Sequence, residues 1–112
     1  MPKASRLWIT TEVSDMANKM RMIHPGEILR EELKELELSA NALAKALNVP
    51  ANRITAILNE QRSITGDTAL RLAKYFGTTP EFWMNLQTSY DVKKAMAESG
   101  SDIGRRVRSR AA

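Results

Sequence analysis

The sequence predicts an all-α protein, and three observations carry that prediction. Apolar residues recur at helical spacing in separate segments, residues typical of helix ends flank those segments, and no alternating strand pattern of useful length occurs. The chain has 112 residues, of which 43% are hydrophobic, which suits one modest core rather than wholesale disorder. We therefore expect one domain of five helices.

The first helix is predicted over residues 25–37. Proline suits the first helical position, because its missing N–H would have no partner there. The lone histidine, His24, is expected at the N-terminal cap of this helix rather than in a catalytic dyad. Four apolar residues then repeat at helical spacing: Ile28, Leu29, Leu33 and Leu36.

The next two helices have equally clear ends. Ser39 is a good N-cap for a second helix that buries Leu43, Ala44 and Leu47. Asn48 tolerates the left-handed conformation that ends helices. The third helix is predicted over residues 51–59, with one apolar side formed by three residues: Ile54, Ile57 and Leu58.

Two more helices follow, and both ends of the chain differ from the middle. The fourth begins after Thr65 and stops at Gly77, with Ala69, Leu70, Leu72, Ala73 and Phe76 as its apolar residues. The fifth opens with Thr79 as N-cap and is expected to run to about Ala97. Residues 22–97 are thus expected to form the folded domain, residues 1–21 a flexible segment and residues 98–112 a flexible, arginine-rich tail. Translation starting at one of three early methionines is a further hypothesis: Met16, Met20 or Met22.

Residues 40–59 meet the steric demands of a helix-turn-helix. Ala44 supplies the small side chain needed where the two helices nearly touch, and Asn48 can accept the tight turn. Ile54 and Ile57 are the apolar anchors that seat the second helix of the motif on the first. The motif predicts that the chain binds duplex DNA, with the ordinary solvated surface of a helical bundle as the alternative.

The side of the third helix opposite its anchors would then face the DNA. Asparagine can pair bidentately with adenine, arginine with guanine, and threonine or alanine methyl groups can pack on thymine. The candidate base-reading residues are Ala51, Asn52, Arg53, Thr55, Ala56 and Asn59. The candidate phosphate contacts on either side are Ser39, Asn41, Lys45, Gln61, Arg62 and Ser63.

From Ile23 to about Gly100 the chain resembles the HigA (VapI-like) antitoxins, a branch of the Xre helix-turn-helix repressors. The resemblance lies in the opening HPGEIL of residues 24–29, in the helix-turn-helix followed by Ile64 and Thr65, and most specifically in GTTPEFWMNLQTSYD of residues 77–91. Asn48, where many relatives of the wider class have glycine, is a mild departure. The resemblance implies a five-helix bundle of the Xre, or lambda-repressor-like, type.

The resemblance also implies a function and partners. Such proteins form homodimers, neutralise a HigB-like toxin that cleaves mRNA on the ribosome, and repress their shared operon by binding operator DNA. The alternative is a stand-alone Xre-type repressor without a toxin.

Two surfaces are candidates for these partners. One apolar stripe of the fifth helix begins at Phe82. Three further residues of this stripe are predicted to form the dimer interface: Trp83, Leu86 and Tyr90. The alternative is that the stripe lies within one chain's own core. The acidic first helix, with Glu31, Glu32 and Glu35, is the candidate for contact with a basic toxin, although solubility would explain it equally well.

Catalysis is not expected. The chain has one histidine and no cysteine, so neither a disulfide nor a Cys/His metal cluster is available, and no glycine-rich phosphate loop is present. We expect no metal and no cofactor. No apolar run approaches the ~20 residues that span a bilayer, and no secretory signal is evident, so a cytoplasmic location is expected.

Overall fold

The computed structural model describes residues 22–111, which fold into five helices without a strand. They are α1 (Pro25–Leu36), α2 (Ala40–Leu47), α3 (Ala51–Leu58), α4 (Gly66–Phe76) and α5 (Pro80–Arg106). The all-α, five-helix prediction is confirmed. The predictions for residues 1–21, including a translation start at Met16 or Met20, fall outside the described residues.

Side-chain caps begin four of the helices as the sequence predicts. The hydroxyl oxygen of Ser39 accepts the N–H of Ala42 at 3.0 Å, and Thr65 and Thr79 cap α4 and α5 in the same way. At the C-terminal ends, Asn48 (φ 58°) and Gly77 (φ 74°) adopt the left-handed conformation. Local sequence therefore determines where these helices begin and end.

His24 caps α1 through its ring. Its Nδ1 accepts the N–H of Gly26 at 2.9 Å, and the buried ring packs edge-on against Tyr90 with 4.8 Å between centroids. Burial lowers the pKa of His24 below its ordinary value of 6.5, although nearby Glu60 and Asp91 oppose that shift. The neutral ring, whose Nδ1 can accept a hydrogen bond, is therefore the favoured form at neutral pH.

One continuous core joins all five helices. Its most deeply buried members include Leu29, Leu43, Ile54, Leu72 and Trp83. Leu70, which the sequence grouped with the apolar residues of the fourth helix, is instead exposed. The core fixes α3 against α1 and α2, so the outward face of α3 has a fixed position on the molecule.

Helix α5 continues to Arg106, so the prediction that it ends near Ala97 is wrong. Asp102 pairs with Arg106 at 2.9 Å and with Arg105 at 3.4 Å, one turn apart on the helix. Those arginines also lie in the last turn, where the helix dipole favours positive charge. The flexibility of residues 98–112 and the domain limits at 22 and 97 stay predictions. Among the described residues, no helix is both long and apolar enough to cross a membrane.

Candidate nucleic-acid interface

Helices α2 and α3 form the two arms of a helix-turn-helix. Asn48, Val49 and Pro50 make the turn between them, and Ala44 is buried on the second turn of α2. Ile54 and Ile57 are fully buried and anchor α3 to the body. The small residue, the turn and the two anchors thus occupy the positions that the sequence predicts.

The side of α3 away from its anchors is polar and open to solvent. Ala51, Asn52, Thr55 and Asn59 are exposed, and Ala56 is half-buried beside them. With 3.6 residues per turn, Asn52 and Asn59 lie nearly opposite the buried anchors, so they occupy the centre of this face. Because their neighbours Ala51, Thr55 and Ala56 are small, the face is narrow enough to enter a major groove ~12 Å wide.

Two of these side chains already make contacts within the chain. The hydroxyl of Thr55 donates to the carbonyl oxygen of Ala51 at 3.1 Å. The guanidinium of Arg30 donates to the Asn59 side-chain oxygen at 3.3 Å and to the Leu58 carbonyl at 2.9 Å. Arg30 therefore closes the C-terminal end of α3, a role that sequence reasoning missed because 28 residues separate it from Leu58.

Arg53 lies on the flank of the face, and its guanidinium is held by α4. Its Nη1 is 2.7 Å from Oδ2 of Asp67, and only 24% of the side chain is exposed. Arg71 donates to the same oxygen at 2.9 Å. Hydrogen bonds from Arg71 and Arg53 lower the pKa of Asp67 below its ordinary value, so the carboxylate is ionised at neutral pH. Sequence reasoning missed both Asp67 and Arg71.

The predicted phosphate contacts lie on the surface at both ends of the motif. Asn41, Lys45 and Arg62 are exposed, as are Gln61 and Ser63. Ser39 is exposed too, but its hydroxyl already caps α2. At the start of α3, Pro50 supplies no side-chain cap, and the N–H of Arg53 donates to the Pro50 carbonyl at 3.1 Å. The N–H groups of Ala51 and Asn52 are therefore the ones that could bind an anion.

The prediction that Trp83 and Leu86 face a second protomer is wrong, because both are buried within one chain. Trp83 is 0% exposed and Leu86 5%. The Trp83 ring packs between Phe76 and Phe82, and its Nε1 donates to the Thr78 hydroxyl at 3.0 Å. The third predicted interface residue, Tyr90, is half-buried against His24. Their stripe closes the chain's own core.

In α2 and α3 the second helix is anchored by buried apolar residues and presents an exposed polar face. This combination is characteristic of helix-turn-helix DNA-binding proteins. Consistent with this, residues 29–83 match the helix-turn-helix family model HTH_3. Virulence-associated protein I of Dichelobacter nodosus is 59% identical over 75% of this chain and 79% of its own length.

Two solved structures are also similar. An addiction module antidote protein of a HigA family from Coxiella burnetii has a TM-score of 0.78 and 64% identity, covering 80% of this chain and 98% of that one. The antitoxin HigA of Pseudomonas aeruginosa, solved with higBA promoter DNA, has a TM-score of 0.77 and 48% identity, covering 79% of this chain and 97% of that one. The chain belongs to the HigA (VapI-like) family of Xre-type helix-turn-helix antitoxins.

Proposed function

We propose that this chain is the antitoxin of a type II toxin–antitoxin pair. It binds operator DNA as a homodimer, represses its own operon and neutralises a HigB-like toxin that cleaves mRNA. The observation that carries the proposal is the exposed polar face of α3. It occurs in a chain that matches nearly the whole length of a HigA antitoxin solved with promoter DNA. A protein that binds operator DNA would act in the cytoplasm. Its role would be binding rather than catalysis.

Base reading is assigned to the outward face of α3. Asn52 is the central candidate, because it is exposed, lies opposite the buried anchors and can bond both edge atoms of adenine. Ala51, Thr55 and Ala56 surround it and can pack on thymine methyl groups. Asn59 would join them once DNA competes with Arg30 for its side-chain oxygen.

Phosphate contacts would fix the register of α3 in the groove. Asn41 and Lys45 flank the face on α2, and Arg62 follows α3 on the other side. The uncapped N–H groups at the start of α3 add a further site for an anion. Contacts on both sides of the face would hold the helix in a single orientation.

A second copy of the chain is expected to pack on the outer face of α5. Val92, Met96 and Ile103 are each at least half exposed, although they are large and apolar. Their spacing of four and seven residues puts them on one helical face, away from the buried side that contains Trp83. Two helices paired along this face would bury it, and a dimer can present two copies of α3 about one DNA turn, ~34 Å, apart.

The acidic face of α1 is the surface proposed for the toxin. Glu31 and Glu35 are exposed on successive turns, and a protein that cleaves mRNA is expected to carry a basic surface. Glu32, which the sequence grouped with them, is buried and so cannot contribute directly. The proposed contact is therefore narrower than the acidic segment itself.

A growth assay tests the antitoxin proposal. The reading frame adjacent to this gene is induced in a host with and without this chain. We expect growth arrest from the adjacent frame alone and recovery when this chain is co-expressed. The absence of arrest, with both proteins made intact, would contradict the toxin partner and favour a stand-alone repressor.

A further inference from the structure

One carboxylate holds two arginines at the edge of the proposed DNA-reading face. Oδ2 of Asp67, at the start of α4, lies 2.7 Å from Nη1 of Arg53 and 2.9 Å from Nε of Arg71. Asp67 therefore links α3 to α4, directly beside the exposed residues of α3.

The two arginines depend on Asp67 to different degrees. Arg71 has a second anchor, because its Nη1 donates to the carbonyl oxygens of Leu47 at 2.8 Å and Asn48 at 3.3 Å. Within residues 22–111, Asp67 is the one side chain that Arg53 bonds. Loss of the carboxylate would thus release Arg53 and leave Arg71 attached to the end of α2.

A released Arg53 would change how the protein discriminates between DNA sequences. A mobile guanidinium beside the duplex can bond any phosphate, and phosphate contacts add affinity without adding sequence information. While the Asp67 carboxylate holds Arg53, fewer of the guanidinium N–H donors are free, and the carboxylate offsets part of the positive charge. Discrimination then falls to the face formed by Asn52 and its neighbours.

We propose that Asp67 is a positioning residue for DNA recognition, which holds Arg53 against α4 and away from the phosphate backbone. The proposal rests on the proposed operator binding. The proposed role of Asp67 is in specificity. Its charge alone would not suggest such a role, because a carboxylate repels phosphate.

The test is Asp67→Asn, which keeps the shape of the side chain and removes its charge. Binding is measured to a duplex from the promoter of this chain's own gene and to a scrambled duplex of equal length, between about 50 and 200 mM salt. One additional phosphate contact should steepen the salt slope on the scrambled duplex by about 0.9. On the scrambled duplex no base contacts hold α3 in one register, so the released guanidinium gains more affinity there than on the promoter duplex. The preference for the promoter duplex should therefore fall about threefold at the lowest salt.

Background variants separate this role from two simpler ones. In an Arg53→Gln background, Asp67→Asn should no longer change the slope or the preference, whereas in an Arg71→Gln background both changes should persist. Asp67→Glu, which restores the charge, should return both to wild-type values. If the changes persist in the Arg53→Gln background, Asp67 acts through its own charge and the proposal fails.

Two remaining outcomes are also decisive. A melting temperature lowered in Asp67→Asn without any change in slope would leave Asp67 a purely structural residue and would overturn the proposal. A wild-type chain with no preference for promoter DNA would instead contradict the proposed operator, while the slope on the scrambled duplex would still report whether Arg53 is released.

Discussion

Replacing Gly26 with alanine is expected to lower the free energy of unfolding by about 3 kcal/mol. A Cβ on Gly26 would overlap the carbonyl oxygen of Ile57 in α3 and would lie 3.0 Å from Nδ1 of His24. The Ile57 carbonyl also accepts the N–H of Glu60 at 3.0 Å, so it cannot turn aside without losing that bond. Helices α1 and α3 would have to separate, and urea unfolding would measure the loss.

Gly104→Ala is the matched control for Gly26→Ala. Gly104 lies in α5, and a Cβ there would meet nothing within 4 Å. Alanine is the better helix former by up to about 1 kcal/mol, so a neutral or slightly stabilising effect is expected. Equal unfolding midpoints for the two variants would show that the close approach of α1 to α3 does not matter.

Trp83→Ala is expected to destabilise the chain by about 4 kcal/mol, the largest effect of any substitution considered. The indole is fully buried, and its removal would leave Phe76 and Phe82 facing a cavity and the Thr78 hydroxyl without its donor. Urea unfolding, with the molecular mass followed by light scattering, would measure the outcome. A folded monomer of wild-type stability would return Trp83 to the dimer interface.

Met96→Glu is the counterpart to Trp83→Ala on the other side of α5. Met96 is 67% exposed, so the change is expected to leave the helical circular dichroism intact. A carboxylate buried between two protomers would be costly, and the molecular mass should therefore fall to that of a monomer. A mass unchanged from the wild-type dimer would argue against pairing along this face.

The ends of the helices could be predicted from the sequence because local chemistry determines them. Ser39, Thr65 and Thr79 bond N–H groups within their own first turn, and Gly77 relieves strain at a single residue. The end of α5 was the exception. Its glycines and small polar residues suggested a tail, but α5 continues past Gly100 to Arg106.

Contacts between distant residues could not be predicted in this way. The ion pair of Arg53 with Asp67 spans 14 residues, and it turns a candidate base reader into a tethered side chain. Periodicity identified the apolar stripe that includes Trp83, but a stripe alone does not distinguish a chain's own core from a partner's surface. The fold answers both questions. Helix α4 places Asp67 beside Arg53, and α5 buries Trp83 within the chain's own core.

The measurement that tests operator reading most directly is the binding of wild type and Asn52→Ala to the promoter duplex and to a scrambled duplex. We expect the substitution to reduce the preference for the promoter duplex about tenfold, within the range of ~1–3 kcal/mol for a bidentate base contact. The affinity for the scrambled duplex and its salt slope should stay unchanged, whereas Lys45→Ala should weaken binding to both duplexes and reduce the slope by about 0.9. An Asn52→Ala variant with the wild-type preference would contradict the assignment of the outward face of α3 as the surface that reads DNA.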